Sequence, residues 1–363
     1  TESDLSALTL GVRTPVFAVQ GGGRFEWAPA VRELQAAGQL AGTLEQIGAQ
    51  VPELAAVGRL GVTADFDVQV GDDGLVVRRL DLGLSNGVPV ATARVLQPFV
   101  FHVRRRELSV GDPAAELIAV TLQAVPLDWL ARWVAPLELK AGVLRGELRG
   151  RPRAAGISLH ASSPLVVDSL AVAREGRAAL EQVGVTLTGA MDLMPEGWAL
   201  EVSRLAASAG GRELLSGTVK VGRLSGPGEA IKLSGKFAGQ LPSLQLQPAF
   251  RDYAALAAGE LQGEVAASLG TTVSWHIKMG LQNLAAAAPP AAVPLPSVAI
   301  DLRADVGADG AVAYHVPVTI QQGERRSDLL VEGKARRHGD RLAAIEARAT
   351  SGRLHLEDLQ ALG

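Results

Sequence analysis

Cysteine is absent from the 363-residue chain, which excludes disulfides, thiolate catalysis and cysteine-ligated zinc. Charge of one sign is also lacking, because 35 Lys and Arg residues against 38 Asp and Glu residues give a formal net charge of -3. Binding to a nucleic-acid backbone needs a concentrated basic face, so we expect no nucleic-acid partner. No apolar run reaches the roughly 18 residues of a transmembrane helix, so any membrane anchor is expected outside this sequence.

Aromatic residues are scarce at 4% of the chain, whereas hydrophobic residues reach 47%. Small aliphatic side chains must therefore provide most of the apolar surface. The sequence has no phosphate-binding Gly-x-x-x-x-Gly-Lys loop and no His-Glu-x-x-His metal motif. We therefore predict no catalytic residues, no metal site and no cofactor, and we predict that the protein is not an enzyme.

Several segments alternate apolar and polar residues over long stretches, which is typical of β-strands with one solvated face. In residues 273–282, Trp275 and Ile277 point one way while His276 and Lys278 point the other. Such alternation favours antiparallel sheet, because parallel strands covered on both faces are apolar throughout. The candidates for lining the apolar face are Val62, Ala64, Phe66, Val68, Val185, Leu187, Leu233, Phe237, Val273, Trp275, Ile277, Met279, Ile300 and Leu302.

Short turn sequences separate these segments and predict β-hairpins. They are residues 71–74, 86–87, 195–197, 210–211, 308–310 and 338–340. Helical patterns are few, and the clearest is 126–136, where Leu127, Leu130 and Val134 share one face. The predicted fold class is therefore mostly β, a long meander of strands with a few short helices.

A short helix-like segment precedes a Gly-x-Leu-x-Gly pattern three times, with the patterns beginning at Gly38, Gly142 and Gly259. This order predicts three repeated units, at residues 1–125 with a short helix near 27–37, at 126–246 and at 247–363. The Pro- and Ala-rich stretch near 284–298 is predicted to be a long connection. The glycines themselves are typical of tight turns and close approaches, and Gly21 to Gly23 is expected to form a flexible turn.

Two phrases carry a family resemblance. Residues 126–130, continued by Gly142-Val143-Leu144-Arg145-Gly146, and residues 80–84, followed by 96–101, resemble the recurring units of AsmA-like and TamB-like bacterial envelope proteins. The resemblance implies an elongated, twisted antiparallel β-sheet groove with an apolar concave face, similar to that of bridge-like lipid transfer proteins. It also implies a periplasmic protein that is anchored in the inner membrane in its full-length form.

Many strands with one apolar face, and too little helix to cover them, leave few ways to shield that face: a second sheet, a closed barrel, oligomer contacts or bound lipid. The leading prediction is a lipid-transfer segment in which the candidate residues form a groove for phospholipid acyl chains, with membranes and envelope proteins as further partners. The alternative is a structural or protein-interaction β-sandwich or barrel without lipid cargo. A carbohydrate-binding module is a weaker third prediction, because exposed aromatic platforms would be expected.

The densest basic run is Arg104 to Arg106. It fits two predictions, a contact with anionic lipid headgroups at a membrane surface or a charged strand edge that resists aggregation.

Overall fold

The computed structural model describes residues 2–3, 16–28, 32–45, 56–72, 74–105, 107–134, 136–153, 156–224, 230–253, 255–287, 291–338, 341–357 and 360. Within this part of the chain, 23 strands form one antiparallel sheet, which confirms the predicted mostly β class. Contacts divide the chain into two compact units, unit 1 (Thr1–Pro195) and unit 2 (Glu196–Gly363). The division into three repeated units stays a prediction. None of the described helices is long and apolar enough to cross a bilayer.

Unit 1 holds the first thirteen strands among its described residues. They are β1 (Glu2–Ser3), β2 (Val16–Ala28), β3 (Glu33–Glu45), β4 (Leu60–Gly71), β5 (Gly74–Ser85), β6 (Pro89–Val95), β7 (Phe99–His102), β8 (Glu107–Val110), β9 (Ile118–Pro126), β10 (Leu137–Arg153), β11 (Gly156–Ala161), β12 (Leu165–Arg174) and β13 (Arg177–Met194). Strands β2 to β5 form a meander. Two short strands, β6 and β7, then pair with different parts of β5. Similarly, β11 and β12 each pair with β10 on one side and with β13 on the other.

Unit 2 is a simpler meander. Its strands are β14 (Gly197–Ala209), β15 (Arg212–Leu224), β16 (Ile231–Gln240), β17 (Leu256–Leu269), β18 (Val273–Ala286), β19 (Val293–Pro294), β20 (Ser297–Val306), β21 (Ala311–Gln322), β22 (Arg325–His338) and β23 (Arg341–Thr350). Each pairs with the next in order, except that β18 pairs with both β19 and β20. The helix α1 (Leu241–Leu244) and a 3-10 helix, Pro248–Phe250, follow β16.

The turn prediction is confirmed at three places. Gly71 pairs with Gly74, Ala209 with Arg212, and Val306 with Val312, so the expected hairpins close at these places. Residues 339–340 lie outside the described part, although His338 pairs with Arg341 across them. The Pro-rich connection is shorter than predicted, because residues 284–286 belong to β18 and 297–298 to β20.

The predicted helix near 27–37 is wrong. Trp27 lies in β2 opposite Leu34 of β3, and Leu34 lies opposite Val70 of β4. The spacing of apolar residues in this segment fits a helix, but pairing on both sides of β3 satisfies the backbone in the extended form. The expected turn at Gly21 to Gly23 is wrong for the same reason, since these residues pair with residues 38–40 of β3.

The predicted helix at 126–136 is confirmed as a 3-10 helix, Leu127–Val134. A Cβ atom on Gly142 would lie 2.8 Å from Cδ1 of Leu127, and one on Gly259 would lie 2.9 Å from Cδ1 of Leu241 in α1. Glycine at the start of the second and third predicted patterns therefore lets a helix leucine approach the sheet closely. Three of the described helical segments begin at a leucine, namely Leu127, Leu241 and Leu356, at intervals of 114 and 115 residues.

The segment after β23 is attached to the start of β22. The carboxylate of Asp328 accepts hydrogen bonds from the backbone N–H groups of Gly352 (3.0 Å) and Arg353 (2.8 Å), and the Ser327 hydroxyl accepts one from the N–H of His355 (3.0 Å). Ser327 is only 1% exposed. The Gly352 and Arg353 hydrogen bonds hold the pKa of Asp328 below its ordinary value, although burial opposes them.

We expect this attachment to weaken in acid. Because the folded pKa of Asp328 is lowered, its contribution is complete above the unfolded pKa, near 3.9, and is lost as the pH falls through the folded value. Backbone amide resonances of Gly352 and Arg353, followed by NMR during acidification, should shift together toward unbonded values. The Asp328→Asn variant should lose this titration. Amide shifts that titrate equally in both proteins would contradict the prediction.

Candidate functional site

Alternate residues of unit 2 share one apolar face, because residues directly opposite one another in paired strands point the same way. One row across nine strands reads Leu200, Val221, Leu233, Ala267, Trp275, Ala304, Tyr314, Gly333 and Ala347. The adjoining row contains Val202, Val219, Gly235, Val265, Ile277 and Leu302. The structure thus brings together the unit 2 candidates Leu233, Phe237, Val273, Trp275, Ile277, Met279, Ile300 and Leu302 on one face.

The candidates in unit 2 are half-buried, and none is buried. Ile277 has Val265 on one side and Leu302 on the other, in the interior of the sheet, yet it still contacts solvent. In a closed core such central aliphatic residues would be fully buried. Of the two rows, Ala267 and Val202 are buried at 8% and 9% exposed, whereas the larger side chains between them stay half-buried. Neighbouring side chains on one uncovered sheet face account for this pattern.

Unit 1 carries a comparable face. One row reads Gly21, Leu40, Ala64, Leu82, Ala93, Val120, Leu148 and Ala161. The candidates Val62 and Phe66 flank Ala64 in β4, and Val68 stays on this face through its partner Ala36 despite a bulge beside β5. The unit 1 candidates are also half-buried.

The two remaining candidates, Val185 and Leu187, lie in β13 opposite Val167 and Leu165 of β12. The same strand places Met191 opposite Leu159, whose partner in β10 is Gly150. Because Gly150 and Leu148 are two residues apart in β10, Val185 and Leu187 belong to the same face as the row through Ala64. Both are half-buried.

The opposite face of unit 2 is polar and carries cross-strand ion pairs. Lys220 pairs with Glu201 (2.9 Å), Lys236 with Glu264 (3.0 Å), and His276 with Asp301 (2.7 Å). The hydrogen bond from Lys236 holds the pKa of Glu264 below its ordinary value. These charges lie in contact with water, so the pairs contribute little to stability and mainly keep this face solvated.

Asp301 is a second acidic residue on this face whose pKa is lowered. Partial burial alone would raise the pKa of its carboxyl group. The hydrogen bond with His276 and the positive charges of His276, Arg303 and Lys278 outweigh burial, so the pKa of Asp301 lies below its ordinary value. We infer that Asp301 stays ionised on a face where solvent and cations surround it.

Two depressions among the described residues lie on the polar face of the sheet. The depression in unit 1 has a volume of about 1080 Å³ and is bordered by Gln39, Asp65, Asp81 and Arg94. The depression in unit 2 has a volume of about 840 Å³ and is bordered by Lys236, Glu264, Lys278 and Asp301. A concave apolar face, which the family resemblance implies, remains an expectation.

Sequence reasoning missed several residues of the apolar face. In β21, Val312, Val316 and Val318 all lie at even positions, with Ala313, His315, Pro317 and Thr319 between or after them, so a two-residue period was present in the sequence. In β15 the face ends with Arg223, whose partners are Trp198 and Ile231. A charged residue at a position of the apolar face interrupts the alternation of apolar and polar residues in the sequence. Only the strand pairing therefore shows that Arg223 belongs to this face.

The sequence also contains a Gly-x-Ser-x-Gly spacing at Gly83 to Gly87. A nucleophile elbow places its serine on a sharp turn between a strand and a helix. Here Ser85 ends β5, and the chain continues through a turn into β6. The segment therefore has the spacing of the elbow without its structural context.

Comparison with known protein families gives no match, and comparison with curated proteins gives none either.

Proposed function

We propose that this protein binds phospholipid or another acyl lipid along the apolar face of its sheet and transfers it between membranes of the cell envelope. The observation that carries the proposal is the half-burial of Ile277 and its neighbours. These side chains lie in the interior of a wide sheet and still contact solvent. An uncovered aliphatic face of this kind favours an apolar ligand.

The dimensions of the face suit such a ligand. Nine adjacent strands in unit 2, about 4.8 Å apart, span about 38 Å, whereas the acyl chains of one leaflet extend over about half of a 30 Å hydrocarbon core. Each methylene group removed from water contributes about 0.8 kcal/mol. Binding would thus rest on partition of the acyl chains, with the headgroup left in water.

The proposal involves no chemical step, and for that reason we propose a carrier and not an enzyme. A periplasmic location and an inner-membrane anchor are parts of the proposal that the resemblance supports. A carrier between two membranes would then contact both membranes and other envelope proteins.

Native mass spectrometry of gently purified protein tests the proposal. We expect bound species whose masses match phospholipids, and extraction with organic solvent should release them. An unrelated soluble protein of similar mass, purified in parallel, is the control. Lipid-free protein that associates through its apolar faces would overturn the proposal and favour the structural or protein-interaction module.

A further inference from the structure

Three large apolar side chains are strongly exposed at one end of the apolar face in unit 1. Phe25 and Trp27 of β2 are 66% and 59% exposed, and Val70 of β4 is 45% exposed. At the opposite end of β4, Leu60 is 8% exposed, and the exposed apolar residue there, Val88 at 58%, lies in the β5–β6 turn. Large apolar side chains therefore reach solvent together at the Trp27 end.

Strand pairing brings the arginine run to this same end. The last row of the face reads Trp27, Leu34, Val70, Leu75 and Phe101. Beyond Phe101 the chain turns between β7 and β8, and this turn carries Val103, which is 59% exposed, and the exposed residues Arg104 and Arg105. Arg106 lies outside the described residues.

Acidic residues are present at this end as well. They are Glu26, Glu33, Asp72 and Glu107. Glu26 pairs with Arg24 (3.7 Å), and Glu107 lies opposite His102 in the β7–β8 hairpin. Among the described residues, neither Arg104 nor Arg105 forms an ion pair with an acid. Both arginine side chains are exposed to solvent.

We infer that this end of unit 1 docks on the surface of an anionic lipid bilayer. The docking surface, called here the aromatic-arginine tip, consists of Phe25, Trp27, Val70, Val103, Arg104 and Arg105. Trp and Phe side chains insert at the boundary between headgroups and acyl chains, and adjacent arginines attract anionic headgroups. A bilayer surface offers both environments side by side, which matches an apolar row that ends beside a basic turn.

The inference does not depend on carried lipid, because the tip would bind a membrane whether or not the apolar face holds cargo. If both proposals hold, the tip places one end of the apolar face of unit 1 against the bilayer. Lipid could then pass directly between the bilayer and that face.

Co-sedimentation with vesicles tests the inference on the whole chain. Vesicles of phosphatidylcholine alone are compared with vesicles that also contain phosphatidylglycerol. The Arg104→Gln, Arg105→Gln double variant should bind the anionic vesicles about thirtyfold more weakly, with little change on neutral ones. The Phe25→Thr, Trp27→Thr double variant should bind both kinds more weakly, because it removes the inserted side chains.

Matched controls come from other exposed positions. Arg174 and Arg177 lie opposite one another at the β12–β13 turn, near the other end of the unit 1 strands, and both are exposed. Their double Gln variant should bind vesicles like wild type. Tyr253 is 69% exposed, so Tyr253→Thr is the control for loss of an exposed aromatic residue.

The outcomes separate the two proposals. Tip variants that lose vesicle binding but keep co-purified lipid support the inference, and a lipid-free protein that still binds vesicles through the tip overturns only the proposed function. Vesicle binding that the tip variants leave unchanged would overturn the inference. So would a wild-type dimer that the Phe25→Thr, Trp27→Thr variant converts to monomer, because the tip would then be a contact between two copies. Circular dichroism checks that each variant is folded.

Discussion

The Val265→Asp variant is expected to lose its co-purified acyl lipid and to keep a β-type circular dichroism spectrum and a cooperative melt. Val265 lies on the apolar face of unit 2, between Gly235 and Ile277, and is half-buried. On an uncovered face the new carboxylate can contact water once lipid is gone. In a closed core it would be buried without a partner, at a cost of several kcal/mol.

The adjacent position provides the control. Ala266 lies on the polar face, between Ser234 and His276, and is exposed. Ala266→Asp adds the same charge one residue away, so it should leave both the fold and the bound lipid unchanged. Loss of lipid in both variants would show that the apolar face is not the binding surface. Failure of Val265→Asp alone to fold would indicate that the face is covered.

The Ala64→Asp, Leu187→Asp double variant makes the corresponding test in unit 1. Both residues are half-buried on its apolar face. We again expect a folded protein that has lost lipid, measured by native mass spectrometry and by the thermal melt.

The Gly146→Ala variant should lower the free energy of unfolding by about 2 to 5 kcal/mol. Gly146 has a φ of 143°, which side chains other than glycine rarely adopt. A Cβ atom there would lie 2.4 Å from Cδ2 and 3.1 Å from Cα of Leu165, which is only 9% exposed. Backbone strain and overpacking therefore act together. Urea denaturation, followed by circular dichroism, measures the change.

Gly22→Ala is the matched control. A Cβ atom at Gly22 would meet no atom within 4 Å, and Gly22 lies in β2 without a positive φ. We expect its free energy of unfolding to stay close to that of wild type. Equal losses in the two variants would mean that neither the positive φ nor the contact with Leu165 matters.

The apolar face was predictable wherever strand alternation was long and regular. In β18, Val273, Trp275 and Ile277 lie on one face, with His276 and Lys278 on the other, as the sequence pattern indicates. The two faces of a strand can be predicted in this way because the two-residue period is a property of the extended backbone itself. The prediction for residues 27–37 was wrong because the spacing of their apolar residues also fits a helix. Only pairing with β4 decides between helix and strand.

The aromatic-arginine tip could not be predicted from the sequence. Trp27 and Arg104 are far apart in the chain, and they share one end of the sheet because β3, β4, β5 and β7 lie between them in order. Likewise, no local pattern shows that β6 and β7 both pair with β5.

The sequence by itself determined the mostly β class, several of the hairpin turns and which residues of each regular strand share a face, because turn conformation and side-chain alternation are local. Only the tertiary structure decided which strands are neighbours, that Ile277 stays half-buried between Val265 and Leu302, and that exposed aromatic residues meet the arginine turn. The physical reason is that strand order and coverage depend on backbone hydrogen bonds and contacts between residues distant in the chain, which leave no trace in local periodicity.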